Sequence, residues 1–183
     1  MIKTTINWQP QNCEDDLVRL VPLTESHFED LFLVASDPLI WEQHPTRDRY
    51  KKEIFRLYFD GAVASGTAFL IIDKSSHQII GSTRYYNYKP DDTSIAIGYT
   101  FLSRQCWGGQ YNKSAKKLLL DYAFQFVDKV YFHIGSTNIR SQLATLKIGA
   151  VKVNEIALDD NGQKQLHFEY VIKKEDWIFR QIR

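Results

Sequence analysis

A chain of 183 residues, 44% hydrophobic and 25% charged, has enough apolar side chains for one buried core and too many for a disordered polymer. Its 23 basic and 22 acidic residues leave a net charge of +1, which excludes a global pull toward nucleic acid or anionic membrane, so any anion must be held by a local arrangement. The apolar runs, such as residues 68–72, fall far short of the roughly 20 residues that span a bilayer; Met1 to Thr5 carry no apolar signal-like stretch, and Cys13 and Cys106, outside any CxxC pair, point to a reducing, cytoplasmic setting.

No internal repeat or low-complexity linker divides the sequence, so residues 1–183 read as a single domain. Residues 17–23 alternate and end near a proline, which predicts a first strand. Thr24 then reads as the N-cap of a helix reaching Ala35. After the Asp37-Pro38 break comes an aromatic and polar loop at 41–45. A second helix is expected from Arg47 to Ala64, with Ile54, Leu57 and Tyr58 on one side. Strand-like runs follow at 68–72, 78–88 and 94–102, separated by turn-like segments. A glycine-bearing loop at 103–110 leads into a helix whose Leu118, Leu119, Tyr122, Ala123 and Phe126 share a face. Residues 130–134 read as a strand and 141–148 as a helix ending at Gly149. Two last strands, 151–158 and 165–172, flank an Asp-Asp-Asn-Gly turn at 159–162. The expected class is α/β: a mixed sheet with a meander in the middle and two strand–helix units behind it.

The stretch from Ile97 to Asn112 carries the most chemistry. A strand runs into a loop with Gly108 and Gly109, and that loop opens a long amphipathic helix. The first turn of a helix has unpaired N–H groups and a partial positive charge, which suits a pyrophosphate, and glycines let the backbone approach such a ligand closely. By itself the same pattern also fits an ordinary strand-to-helix connection.

Two motifs in register decide between these readings. Ile97-Gly98-Tyr99, then Trp107, Gly108 and Tyr111, then Asn138, Ser141, Lys147 and Gly149 resemble the GNAT acetyltransferase superfamily, in its ribosomal-protein N-acetyltransferase-like (RimJ/RimL) branch. The resemblance spans residues 17–172. It implies a central mixed, mostly antiparallel sheet flanked by helices, and transfer of an acetyl group from acetyl-CoA to a primary amine in a ternary complex. The pantetheine arm would pair with the strand edge at Phe101 and Leu102. The pyrophosphate would sit on the backbone of Gln105, Trp107, Gly108, Gly109 and Gln110, with Tyr111 and Asn112 opening the helix. Arg104, Lys113, Lys116 and Lys117 either screen phosphates or form a solvated face. Asn138 would orient the arm. Ser141 would donate to the departing thiolate, since the tyrosine used by many relatives falls at Thr145, or would serve only as a helix-start hydroxyl.

Three departures stand against that pattern. Gln110 occupies the place of a second small residue, a job that Gly109 would take over through a shifted turn. Ala150 replaces the usual aromatic. Ala96 stands where many relatives carry a glutamate base, so the base is sought in Glu42, His44, Tyr86, Arg84 or a water relay. Residues 41–45 with Tyr85, Tyr86 and Tyr88 would shape the acceptor pocket. His27, His44, His77, His133 and His167 show no metal-ligand spacing, and Cys106 reads as a packed thiol. The partners expected are acetyl-CoA and an amine, with no nucleic acid or membrane, in a monomer or homodimer. The competing reading is a non-catalytic acyl-CoA-binding sensor or scaffold, favoured by Ala96 and Gln110.

Overall fold

In the computed structural model, which describes residues 6–160 and 163–182, the elements are β1 (Cys13–Glu14), β2 (Val18–Pro22), α1 (Phe28–Ala35), α2 (Lys52–Ser65), β3 (Ala68–Asp73), β4 (Ile79–Lys89), β5 (Ser94–Leu102), α3 (Tyr111–Ala123), β6 (Lys129–Gly135), α4 (Ile139–Lys147), β7 (Val151–Asp160), β8 (Gln163–Lys173) and α5 (Lys174–Gln181). The strands form one sheet in the order β1-β2-β3-β4-β5-β6-β8-β7. Every neighbouring pair is antiparallel except β5 and β6, whose parallel pairing requires the crossover that α3 supplies.

The expected helix from Thr24 begins as a 3-10 turn at Glu25–His27, where the Thr24 amide donates to His27 Nδ1 at 3.1 Å, and becomes α-helical at Phe28. The expected helix from Arg47 is divided: Arg47–Tyr50 is 3-10, Lys51 is extended at φ −80° and ψ 134°, and α2 starts at Lys52. Strand β1 and helix α5 were not anticipated. Helix α5 is held by buried Trp177, whose Nε1 donates to Asp121 at 2.7 Å. Phe126 lies beyond α3 and is 42% exposed, its ring packed on Trp8 and Tyr122 rather than in the helix stripe. Asn161 and Gly162 of the expected turn, and Met1 to Thr5, lie outside the described residues.

Two apolar cores sandwich the sheet. Helices α1 and α2 bury Leu31, Phe55 and Phe59 against Leu70 and Phe101; α3 and α5 bury Leu119, Leu120 and Trp177 with Ile95, Ile97, Val130 and Phe132. Period-two alternation would put Phe101 on the same face as Ile97. It lies on the opposite one, because β5 carries an extra residue: Arg84 pairs with Gly98 and Ser82 with Phe101, leaving Tyr99 as a bulge at φ +52°. Tyr58 O–H donates to the Tyr99 carbonyl at 2.6 Å, and the Arg84 guanidinium lies 3.4 Å from the Tyr99 ring centre, so the strained residue is clamped from both sides. The bulge thus sends Phe101 toward α2 and Leu102 toward α3, at the strand end where the site lies.

Candidate active site

Strands β5 and β6 pair only where Ser94, Ile95 and Ala96 face Lys129, Val130 and Tyr131. Beyond that they part around a cleft of about 240 Å³, walled by residues 97–102 on one side and by Phe132, His133, Ile134 and Gly135 on the other. A strand edge released in this way offers unpaired N–H and C=O groups to a ligand that carries amides.

The loop at the cleft mouth turns at Gly108, φ +71°, and an added Cβ on Gly108 or Gly109 would meet nothing within 4 Å. Gly108 alone supplies the left-handed turn; Gly109 does not take a left-handed conformation, so the expected shift of that job to Gly109 does not occur. Trp107 fixes the loop by donating from Nε1 to the Leu102 carbonyl at 3.0 Å, and the Arg140 guanidinium lies 3.6 Å from the Trp107 ring centre. Helix α3 then starts with no side-chain cap and no acidic residue in its first turn. That leaves an uncapped N-terminus beside an open glycine loop, a place where an anion is favoured.

Among the residues singled out from sequence, the cleft gathers His44, Phe101, Leu102, Trp107, Gly108, Gly109, Asn112, Asn138 and Ser141. Gln105, Gln110 and Tyr111 belong to the loop and helix start without lining it, and Arg104 is turned away into an ion pair with Asp37. Asn138 caps α4, its Oδ1 accepting the Ser141 N–H at 3.1 Å, which commits the amide oxygen and leaves the amide NH₂ for a ligand. Cys106 lines the cleft as a buried thiol whose pKa burial raises, the opposite of an activated nucleophile.

The base candidates fare differently from expectation. Glu42 is exposed and bonded to Arg140 at 2.8 Å, outside the cleft lining. His44 accepts the Thr46 N–H on Nδ1 at 2.9 Å, and its Nε2 lies 3.1 Å from Arg49 Nη1. Burial, reinforced by the Arg49 charge, lowers its pKa to about 3, so it is poorly placed to take up a proton. Tyr85 is wholly buried in the α3-side core, donating to the Leu119 carbonyl, and Tyr88 packs on Trp8. Tyr86 does not line the cleft itself, but its hydroxyl reaches His133, which does.

Tyr86 leads to two residues that the sequence did not single out for chemistry. Its O–H lies 2.6 Å from His133 Nδ1, and His133 Nε2 lies 3.0 Å from Glu169 Oε2. A carboxylate on Nε2 fixes the ring proton there, which leaves Nδ1 to accept from the phenol. Burial raises the Tyr86 pKa, so the phenol carries its proton at neutral pH. Gly98 makes room for this arrangement, since a Cβ there would sit 2.8 Å from Tyr86 Cε1. His133 lines the cleft and also a small recess shared with Ala96, Tyr131 and Glu169. The carboxylate missing at position 96 is therefore supplied to the same recess from β8.

The three lysines of α3 separate. Lys113 and Lys117 are exposed, the latter paired with Asp121 at 2.5 Å. Lys116 is 6% exposed, and its Nζ lies 2.5 Å from Thr100 Oγ1 and 3.4 Å from Thr83 Oγ1, at the wall of the cleft instead of over the glycine loop. Burial alone lowers its pKa to about 7. The unfolded chain, with an ordinary lysine, holds more protons above that point, so stability should rise with pH from about 7 upward. The slope would approach about 1.4 kcal/mol per unit before Cys13, whose pKa burial raises, begins to oppose it. Urea midpoints at pH 7 and pH 8.5 in wild type and Lys116→Met test this: the rise should flatten in the variant, and an equal rise in both would assign it elsewhere.

Among the described residues, no helix is long and apolar enough to cross a membrane, and no group of three His, Cys, Asp or Glu side chains could hold a metal ion. No curated protein sequence matches the chain. A solved structure named provisionally as an acetyltransferase superposes with a TM-score of 0.79 at 26% identity, over 94% of this chain and 91% of its own. A GCN5-related N-acetyltransferase from Brucella melitensis gives 0.76 at 20% identity, over 93% and 83%. RimJ from Mycobacterium smegmatis, solved with CoA-disulfide, gives 0.67 at 16%, over 87% and 83%. Residues 18–151 match the model of the acetyltransferase (GNAT) domain, well over half of the sequence and every cleft-lining residue except His167, and the chain belongs to that family.

Proposed function

We propose that the protein moves the acetyl group of acetyl-CoA to a primary amine, of a protein N-terminus or a small molecule, by direct attack in a ternary complex. The observation that carries this reading is the parting of β5 from β6 beside an uncapped α3 N-terminus. Backbone groups at Phe101 and Leu102 hold the amides of the pantetheine arm, and nearby N–H groups polarise the thioester carbonyl. Backbone from Gln105 to Gln110, with Asn112, receives the pyrophosphate. The Asn138 NH₂ orients the arm, and the Ser141 hydroxyl donates to the departing thiolate. The proton of the attacking amine passes to Tyr86 oxygen as the phenol proton moves to His133 Nδ1, leaving an imidazolium held by Glu169.

Acetyl-CoA at about 100 times its dissociation constant should stabilise the fold by roughly 2.7 kcal/mol, read as an upward shift in Tm and as heat in calorimetry. Gly108→Val should abolish most of that binding while costing folding only about 1–2 kcal/mol, because a β-branched residue resists φ +71° and would crowd the approaching phosphate. A folded Gly108→Val that binds as tightly as wild type would refute the assignment of the loop. Binding without transfer to any amine in a panel, followed by free-thiol detection, would favour the sensor reading instead.

A further inference from the structure

The acetyl-transfer scheme leaves one buried amine of the cleft without a role. Lys116 projects from α3 toward β5, and the Thr83 and Thr100 hydroxyls, themselves 2.8 Å apart, take two of the directions around its Nζ. Phe132 on β6 presents its ring 5.9 Å away. Among the described residues no carboxylate pairs with this nitrogen, which is unusual for a buried lysine. Lys116 lines the cleft together with Thr100, Phe101, Ser141 and Thr145.

We propose that Lys116 is itself an acetyl acceptor, so that the enzyme acetylates this side chain from the thioester in its own donor cleft. The proposal rests on the acetyl-CoA reading above. The Nζ lone pair forms a C–N bond to the thioester carbonyl carbon and the C–S bond breaks. The sulfur leaves as thiolate and takes up the proton that the nitrogen sheds. The products are an N-acetyl-lysine and free coenzyme A, with no change of oxidation state. Burial supports the step, since an amine whose pKa lies at about 7 keeps a substantial neutral fraction at physiological pH, where an exposed lysine keeps very little. Once acetylated, the side chain can no longer hold a charge and its acetamide occupies cleft space, so modified protein should bind the coenzyme more weakly.

Purified protein incubated with acetyl-CoA, and followed by intact mass and peptide mapping, tests the step without any external acceptor. One acetyl group should appear on Lys116 more than about tenfold faster than on exposed Lys113 or Lys117, because attack within the bound complex replaces a bimolecular encounter. Excess free coenzyme A should suppress it at Lys116 and not at the exposed lysines. Lys116→Arg and Lys116→Met should both lack it, and the methionine variant keeps the test open if arginine fails to fold. Calorimetry on the same sample separates the two ideas. Heat of acetyl-CoA binding with Lys116 unmodified, or modified no faster than the exposed lysines, overturns self-acetylation alone. Absence of binding heat overturns the acetyl-CoA reading and this proposal together.

Discussion

Gly81→Ala should destabilise the protein by about 4 kcal/mol or more, whereas Gly61→Ala should stabilise it by about 0.5–1 kcal/mol. The substitution is the same; the surroundings decide its sign. A Cβ on Gly81 would fall 2.0 Å from the Phe101 carbonyl oxygen and 3.1 Å from the Leu102 Cα. Both are backbone atoms and cannot swing aside as a side-chain tip would. Relief requires β4 and β5 to separate beside the Tyr99 bulge, where Gly81 pairs with Leu102 and Ser82 with Phe101. Gly61 lies inside α2 on its exposed side, and its nearest neighbour to an added Cβ is Arg84 Nη1 at 3.8 Å, an ordinary contact. There alanine brings only its better helix propensity. Urea unfolding of both variants is the measurement. A Gly81→Ala loss below about 1 kcal/mol would mean that the strands are not in this register. Because the proposed donor edge lies at Phe101 and Leu102, any folded Gly81→Ala should also bind acetyl-CoA poorly.

The distinction between these two glycines is invisible in sequence, and the same limit explains what could be read of the site. The strand, glycine loop and helix from β5 to α3 are local, so their spacing announces them. The central strands are recognisable because β-branched and aromatic residues alternate with turn chemistry between them. The Tyr99 bulge is not local, for it exists only relative to the register of β4, and it reverses which core receives Phe101. Tyr86, His133 and Glu169 meet across three strands, and the pairing of His133 with Glu169 depends on β8 lying beside β6. Lys116 did leave a signal. It stands three, four and seven residues before Leu119, Leu120 and Ala123, all buried, so helical periodicity places it on the core stripe, while Lys113 and Lys117 stay exposed. The face drawn through Leu118, Leu119, Tyr122, Ala123 and Phe126 is centred further round the helix and leaves that lysine at its edge, among solvated ones. Glu42 and His44 show the converse: their residue types suit proton transfer, but Arg140 and Arg49 occupy them.

The largest kinetic effect is expected from the proton relay. Tyr86→Phe should lower turnover by about 10² to 10⁴ while leaving acetyl-CoA affinity close to wild type, since in the proposed relay the phenol oxygen takes the amine proton and does not hold the coenzyme. Glu169→Gln and His133→Gln act through the phenol: without the carboxylate the imidazolium loses its counter-charge, and without the imidazole the phenol has no acceptor for its own proton. The three losses should not add, because the residues work as one chain. A structural defect could also slow the enzyme, and pH tells the two apart. Around His133 the charged and titratable groups include Tyr86, Arg84 and Lys89 of β4, Asp92 after it, Tyr99 of β5, Tyr131 of its own strand and Glu169 of β8. None of them is replaced in Tyr86→Phe except the phenol itself. With an alkylamine acceptor, whose ammonium titrates near about 10, raising the pH supplies neutral amine from bulk water and makes the relay less necessary. The deficit of Tyr86→Phe relative to wild type should therefore shrink steadily between pH 7 and the amine's own pKa. A deficit that stays constant across that range, with chemistry shown to limit the rate, would leave Tyr86, His133 and Glu169 as a buried structural network and return the proton to water.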